Sequence, residues 1–295
     1  MELSGLGKLL QTVPQYRGLK ESLVVSPADV RLQVLEDASP FALSVLWRDL
    51  EAPMLVITPN ADDSRRLYEQ ISVWSDDDIG VVHFPETETL PFERLASDTD
   101  TIHQRIRTLA KLVDPTSPPP LVIASTVAVA QKTLDRRIFG TNVHTLNKGD
   151  KIDLEEVLDL WRRLGYQMDA VADAPGIMSR RGGIVDIFPV GAVSPSRIVL
   201  WGNEIDSIRR YDASSQISES MADSVTVIPA HETLPGLVDR GDLETLFTDV
   251  DLSGCSSVVQ ERIAEEIEAL SDGRGVDDID FYSGFFNLGC ALDYF

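Results

Sequence analysis

Apolar positions along this chain repeat with two different periods, and the change from one to the other divides it into parts. Three short apolar runs, "MLVIT" (54–58), "VVHF" (81–84) and "LVIAS" (121–125), are bounded by turn residues, as buried strands are. Between the first two, Asn60 is placed to cap a helix carrying Leu67, Ile71 and Trp74 on one face. Between the second and third, Ile102, Ile106 and Leu109 recur at helical spacing. This strand–helix alternation predicts a parallel sheet covered by helices, with "DPTSPPP" (114–120) as the loop into its third strand.

A second pattern begins near Gly140. "DLEEVLDLWRRLGY" (153–166) predicts a helix with Asp153 and Glu156 at capping-box spacing, an apolar stripe of Leu154, Val157, Leu158 and Trp161, and a stop at Gly165. Arg162 and Arg163 close that helix, where cations complement its dipole. Three strands follow, "IVDIF" (184–188), "RIVLW" (197–201) and "SVTVI" (224–228), and Gly202-Asn203 marks a tight hairpin leading into "IDSIRRY". "WGNEIDSIRRYD" thus reads as fold and not as site. Residues 141–230 are expected to form a small α+β unit between parts spanning 1–140 and 231–295. In the last part, "SSVVQERIAEEIEAL" (256–270) predicts a helix burying Val259, Ile263, Ile267 and Leu270, with its glutamates solvated. The apolar ending "GFFNLGCALDYF" is expected to continue into further chain.

Charge narrows the partners. The 295 residues carry 26 basic and 48 acidic groups, a net charge of -22. Residues 1–140 contribute -6, 141–230 contribute -4 and 231–295 contribute -12. An acidic surface repels phosphate backbones, so the last part is a poor nucleic-acid surface. The middle part is the most nearly balanced. No apolar run reaches the ~18–20 residues of a membrane helix, "MELSGLGKLL" is no signal peptide, and Cys255 and Cys290 form no metal or disulfide spacing. A soluble cytoplasmic chain without a membrane partner is expected.

Catalytic motifs are absent. A P-loop needs G-x-x-x-x-G-K-[ST] so that backbone amides and a lysine reach the phosphates. Of the six lysines only Lys8 follows a glycine, in "GLGKLL", where Glu2 and Leu9 occupy the remaining motif positions. His83, His103, His144 and His231 have no metal spacing, and "SDDD" (75–78) and "VDDID" (276–280) read as solvated acidic loops. There is no G-x-S-x-G elbow. The chain reads as a non-enzyme with no catalytic residue, cofactor or metal.

One stretch keeps several readings open. In "MSRRGGIVDIFPV" (178–190), Arg180 and Arg181 precede Gly182-Gly183, which allow a tight turn before the strand. On the residues alone this is a phosphate cradle, a nucleic-acid contact, a protein-docking edge or a solvated turn. Asp186 reads as a paired structural carboxylate, and Phe188 as core or as an apolar interface contact.

"FPETETLPFERLASDTDTIHQRIRTLAKL" (84–112), "RRGGIVDIFP" (180–189), "VLWGNEIDSIRRYDASSQIS" (199–218), "VIPAHE" (227–232) and the "IDFYSGFF…LDYF" tail together resemble the N-terminal region of bacterial transcription-repair coupling factors, the Mfd family. More loosely they resemble the repair helicase subunit UvrB. The resemblance runs from about residue 20 to the end. It implies a degenerate helicase-like α/β parallel-sheet domain split in sequence, with the small α+β domain inserted. "LEDASPFALS" (35–44), which would align with UvrB's P-loop, has neither paired glycines nor lysine, and the stretch matching UvrB's DNA-gripping hairpin is missing.

The resemblance also implies a role. The inserted domain docks UvrA, the damage-recognition ATPase of nucleotide excision repair, through basic residues before the "IVDIFP" strand. Arg181 matches the family's Arg-Gly pair. A further arginine of UvrB falls on Ser179, beside which Arg180 is the substitute, while Phe188 keeps both readings, core or apolar interface contact. RNA polymerase, DNA, ATP and magnesium are implied only for regions beyond this chain. The competing readings are a UvrB-like ATP-dependent DNA-binding enzyme and a structural α/β region whose arginines bind nothing.

Overall fold

The three N-terminal runs pair as a parallel sheet in the order β1-β3-β2, with β1 at Met54–Thr58, β2 at Val81–Phe84 and β3 at Leu121–Ser125. The computed structural model describes residues 6–25, 29–75, 80–88, 93–94, 97–238, 240–248, 250–272 and 274–295; Asp76–Asp78 of the first acidic run, and residues 89–92 and 95–96 of the 84–112 block, lie outside them. Two compact units emerge. One holds residues 1–86, 111–131 and 291–295, the other 87–110 and 132–290.

In the first unit the central strand β3 is buried along its whole length, as a strand flanked on both edges and both faces must be. Ile71 of the Ala61–Trp74 helix packs with Val81, Leu121 and Ile123, and Leu67 lies against them. Asn60 caps this helix, accepting from the Asp63 amide at 2.9 Å. Trp47 closes the same core and donates its indole N–H to the Pro119 carbonyl at 2.9 Å. Gly80 is required beside it, since a Cβ there would meet the Trp47 ring at 2.4 Å.

The second unit is built on an antiparallel-rich sheet. Its strands are β4 (Lys132–Thr133), β5 (His144–Asn147), β6 (Gln167–Met168), β7 (Ile177–Arg181), β8 (Ile184–Ile187), β9 (Ser196–Trp201), β10 (Glu204–Tyr211), β11 (Ser218–Ala222), β12 (Ser224–Val227) and β13 (Gly289–Cys290). Six of them order as β11-β10-β9-β8-β7-β6, antiparallel except for the β6–β7 pair; β5 pairs β12 and β4 pairs β13. The Leu154–Arg163 helix starts at Asp153, whose carboxylate accepts from the Glu155 and Glu156 amides. It buries Val157, Leu158 and Trp161, and the chain leaves through Gly165 at φ +92°. Gly202, at φ +65°, turns β9 into β10.

Two ion pairs far apart in sequence join distant segments of this unit. Arg105 is fully buried and its Nε donates to Glu232 at 2.8 Å, while the Thr133 hydroxyl donates to the other Glu232 oxygen at 2.5 Å. Glu266, expected on a solvated helix face, instead accepts two hydrogen bonds from Arg94 at 2.9 Å, one from Tyr282 at 2.6 Å and one from Arg262 at 2.8 Å. Arg94 also lies over the Phe281 ring and pairs with Asp278, so "VDDID" is not simply a solvated loop. On that same Ser257–Ser271 helix, Ile263 and Leu270 are buried and Ile267 packs against the cluster that holds Leu270, but Val259 is exposed. The helix is covered from Ile263 onward, and Val259, in its first turn, lies outside that cover.

Burial opposes ionisation of Glu266, but its hydrogen bonds from Arg94, Tyr282 and Arg262 outweigh it and hold the carboxyl at about 2, against an ordinary value of 4.5. A depressed carboxylate contributes stability that is complete above its unfolded value and is lost as pH falls through the folded one. Glu266→Gln is therefore expected to cost about 2 kcal/mol at neutral pH and to flatten the urea midpoint between about pH 5 and pH 2. A variant whose midpoint runs parallel to wild type across that range would contradict the pairing.

Candidate protein-docking face

Arg180 and Arg181 are strand residues, the last two of β7, and not turn residues as expected. Arg181 pairs with Ile184 across a two-residue hairpin loop, Gly182-Gly183, with Gly182 at φ +64°. The pleat then sends neighbouring side chains to opposite faces of the sheet. Arg180 meets Glu155 of the Leu154–Arg163 helix at 2.5 Å. Arg181 shares its face with Ser179 and donates to the Ala170 carbonyl at 3.1 Å, an oxygen that also accepts from the Ser179 hydroxyl at 2.9 Å.

Below Arg181 on that face lies a polar layer. Asp186 is buried and accepts from Arg197 Nε at 2.7 Å and Nη2 at 2.8 Å; the two residues are register partners on β8 and β9. The Arg197 guanidinium lies over the Tyr211 ring, 4.7 Å from its centroid. Tyr211 donates to the Ala172 carbonyl at 2.8 Å. Burial, and then the nearby Asp186 charge, push the Tyr211 hydroxyl up to about 12, which keeps it a donor. The hydrogen bond to Asp186 raises Arg197 above its ordinary value. Asp186 is thus a paired structural carboxylate. The loop around Ala170–Ala172 is pinned over this layer by Ser179, Arg181 and Tyr211.

Phe188 is 8% exposed, so of the three sequence candidates only the two arginines present side chains to solvent. Ser179 is buried with its hydroxyl already engaged, and faces the Ala170 loop.

Other candidate chemistry does not assemble. Among the described residues no three His, Cys, Asp or Glu side chains are grouped to hold a metal ion. His83 bonds the Ser64 hydroxyl, His144 accepts from the Trp161 indole, and His103 lies against Gly176; burial lowers all three below the ordinary histidine value. The 35–44 stretch opens the Ser39–Leu50 helix with Glu36 and Asp37 just before it, carboxylates that disfavour a phosphate at that end. Among the described residues no helix is long and apolar enough to cross a membrane.

Residues 145–232, which contain the whole six-stranded sheet, match the family described as the UvrB interaction domain. The chain is 23% identical over 290 residues to the transcription-repair-coupling factor of Bacillus subtilis (strain 168), covering 95% of this chain and 24% of that protein. The Haemophilus influenzae and Escherichia coli (strain K12) transcription-repair-coupling factors are each 28% identical, over 68% and 61% of this chain and 17% and 15% of their own lengths. The chain is thus similar to transcription-repair-coupling factors over most of its length. It spans about a quarter or less of the length of these curated relatives.

The match over residues 145–232 gives the Arg181 face a domain context. Several residues of the resembling blocks prove to be structural, among them Arg105 and Glu232 in their buried pair and Gly202 at its hairpin. The Gly182-Gly183 pair between two extended runs was the available sign that Arg181 ends a strand.

The buried pair yields a test of the face. Asp186→Asn leaves Arg197 without its counter-charge and is expected to cost about 3 kcal/mol in urea unfolding. Replacing both partners, as Asp186→Leu with Arg197→Met, should recover most of that loss. A loss below about 1 kcal/mol in the single variant would show that the pair does not hold the face together.

Proposed function

We propose that this chain is the module through which a transcription-repair coupling factor recruits the nucleotide-excision-repair protein UvrA, acting by binding and without turnover. The observation that carries this is the setting of Arg181. It stands on an exposed sheet face of the domain matched as the UvrB interaction domain, and among the described residues it has no carboxylate partner. A guanidinium offers planar, bidentate hydrogen bonding and stays charged when desolvated, which suits it to a protein carboxylate. Arg180, held by Glu155, is the lesser contact, and Phe188 supports the face from within.

The parallel-sheet part is the degenerate relative of a helicase domain, split by the inserted UvrA-docking domain. The absence of a P-loop motif from the sequence and the carboxylates before the Ser39–Leu50 helix support a non-catalytic reading. RNA polymerase, DNA, ATP and magnesium belong to the remaining length of such a coupling factor, which works in the cytoplasm.

Calorimetric titration of the chain with purified UvrA tests this reading. Saturable binding is expected, weakened by about 1–2 kcal/mol in Arg181→Ala and by less in Arg180→Ala. No binding by the chain, or full affinity in both variants, would overturn it. Measurable ATP turnover by the purified chain would revive the enzyme reading.

A further inference from the structure

The face that carries Arg181 continues beyond it. Register pairing sets Arg181, Ile184, Val199 and Ser207 in one row across β7, β8, β9 and β10. Residues directly opposite in such a row project to the same side, roughly 5 Å apart. One row further along, β9 ends in Trp201, on the side of Val199 because strand residues two apart share a face. In the other direction Arg209 stands opposite Arg197, with Met221 next across on β11.

Exposure singles out part of this face. Trp201 is 85% exposed, Met221 and Ile184 are exposed, and Val199 is half-buried. Scattered apolar surface residues need no explanation. Here Ile184 and Val199 are register partners flanked by Arg181 and, diagonally, by Arg209, while Trp201 lies one row further along the same face with Glu204 directly opposite it. Neither arginine has a carboxylate partner among the described residues, in a chain with a net charge of -22. Arg197, directly opposite Arg209, is neutralised by Asp186 beneath, so the two cations can stand together. The result is an apolar strip with two unpaired arginines at its edges and the Glu204 carboxylate beside Trp201.

We propose that this strip is the energetic centre of the docking face, with Trp201 as its apolar anchor and Arg209 as its second cation beside Arg181. The inference rests on the UvrA-docking reading and deepens it. The occupant is a protein surface with an apolar recess flanked by carboxylates. Charge complementarity selects it: two unpaired arginines on an otherwise acidic chain attract an acidic rim and repel basic surfaces. A large, rigid indole buries much apolar area while losing little conformational freedom, so tryptophan dominates many interfaces.

The test is titration of UvrA with the 295-residue chain carrying Trp201→Ala, Trp201→Phe or Arg209→Glu, beside Arg181→Ala and wild type. Because Trp201 is largely exposed, Trp201→Ala is expected to melt as wild type does. Its affinity should fall about 10-fold or more, and Trp201→Phe should retain most of it. Arg209→Glu should slow association and weaken the salt dependence of binding. Trp201→Ala within about two-fold of wild type, while Arg181→Ala is weakened, would overturn the anchor and leave the docking reading standing. That result would mean that the strip is covered by another part of the coupling factor. A wild-type dimer abolished by Trp201→Ala would overturn the anchor in favour of a second copy of this chain. Absence of wild-type binding would overturn both readings.

Discussion

The bidentate pair of Asp186 and Arg197 is the interaction on which the proposed docking face depends. It fixes β8 against β9 on the face that Arg181 shares, and it sets Arg197 over Tyr211. Tyr211 in turn holds the Ala172 carbonyl, and the adjoining loop accepts from Ser179 and Arg181. One carboxylate thus neutralises a cation that would otherwise repel Arg209, and helps to anchor the loop against which Arg181 lies. Desolvating such a pair is costly, and its retention on a strand is understandable where position matters more than stability.

The same sheet solves two problems with its two faces. Val185, Ile187, Ile198 and Ile208 are buried on the side to which Arg180 also points, where Arg180 meets the Leu154–Arg163 helix. The opposite side is divided, covered by the Ala170 loop at one end and open at the other. Ser179 and Arg181 show the division, since the first is buried under the loop and the second reaches past it to solvent. A chain with a large negative charge can therefore present a local positive edge, because among the described residues Arg181 and Arg209 have no carboxylate partner.

Local signals in the sequence were legible and long-range ones were not. The three parallel strands, the Asn60 and Asp153 caps and the Gly202 hairpin follow from apolar runs, capping residues and turn glycines acting over a few positions. The Arg105–Glu232 and Arg94–Glu266 pairs join residues more than a hundred positions apart, and nothing local marks their partners. Glu266 and Val259 were misassigned for that reason: a helical stripe says which residues share a face but not how much of it is covered. At the candidate site, the strand position of Arg181 is not legible, because β7 has little apolar alternation. Trp201 reads from the sequence as part of the fold at a strand end, since its exposure depends on where the sheet stops being covered.

Hydrogen–deuterium exchange of the chain with and without UvrA tests most directly whether this face is the one that docks. The account predicts slowed exchange at the two hairpin tips, residues 181–184 and 201–204, with the β1–β3 sheet and the Ser257–Ser271 helix unchanged. Protection confined to those latter elements, with both tips exchanging as in the free chain, would contradict it.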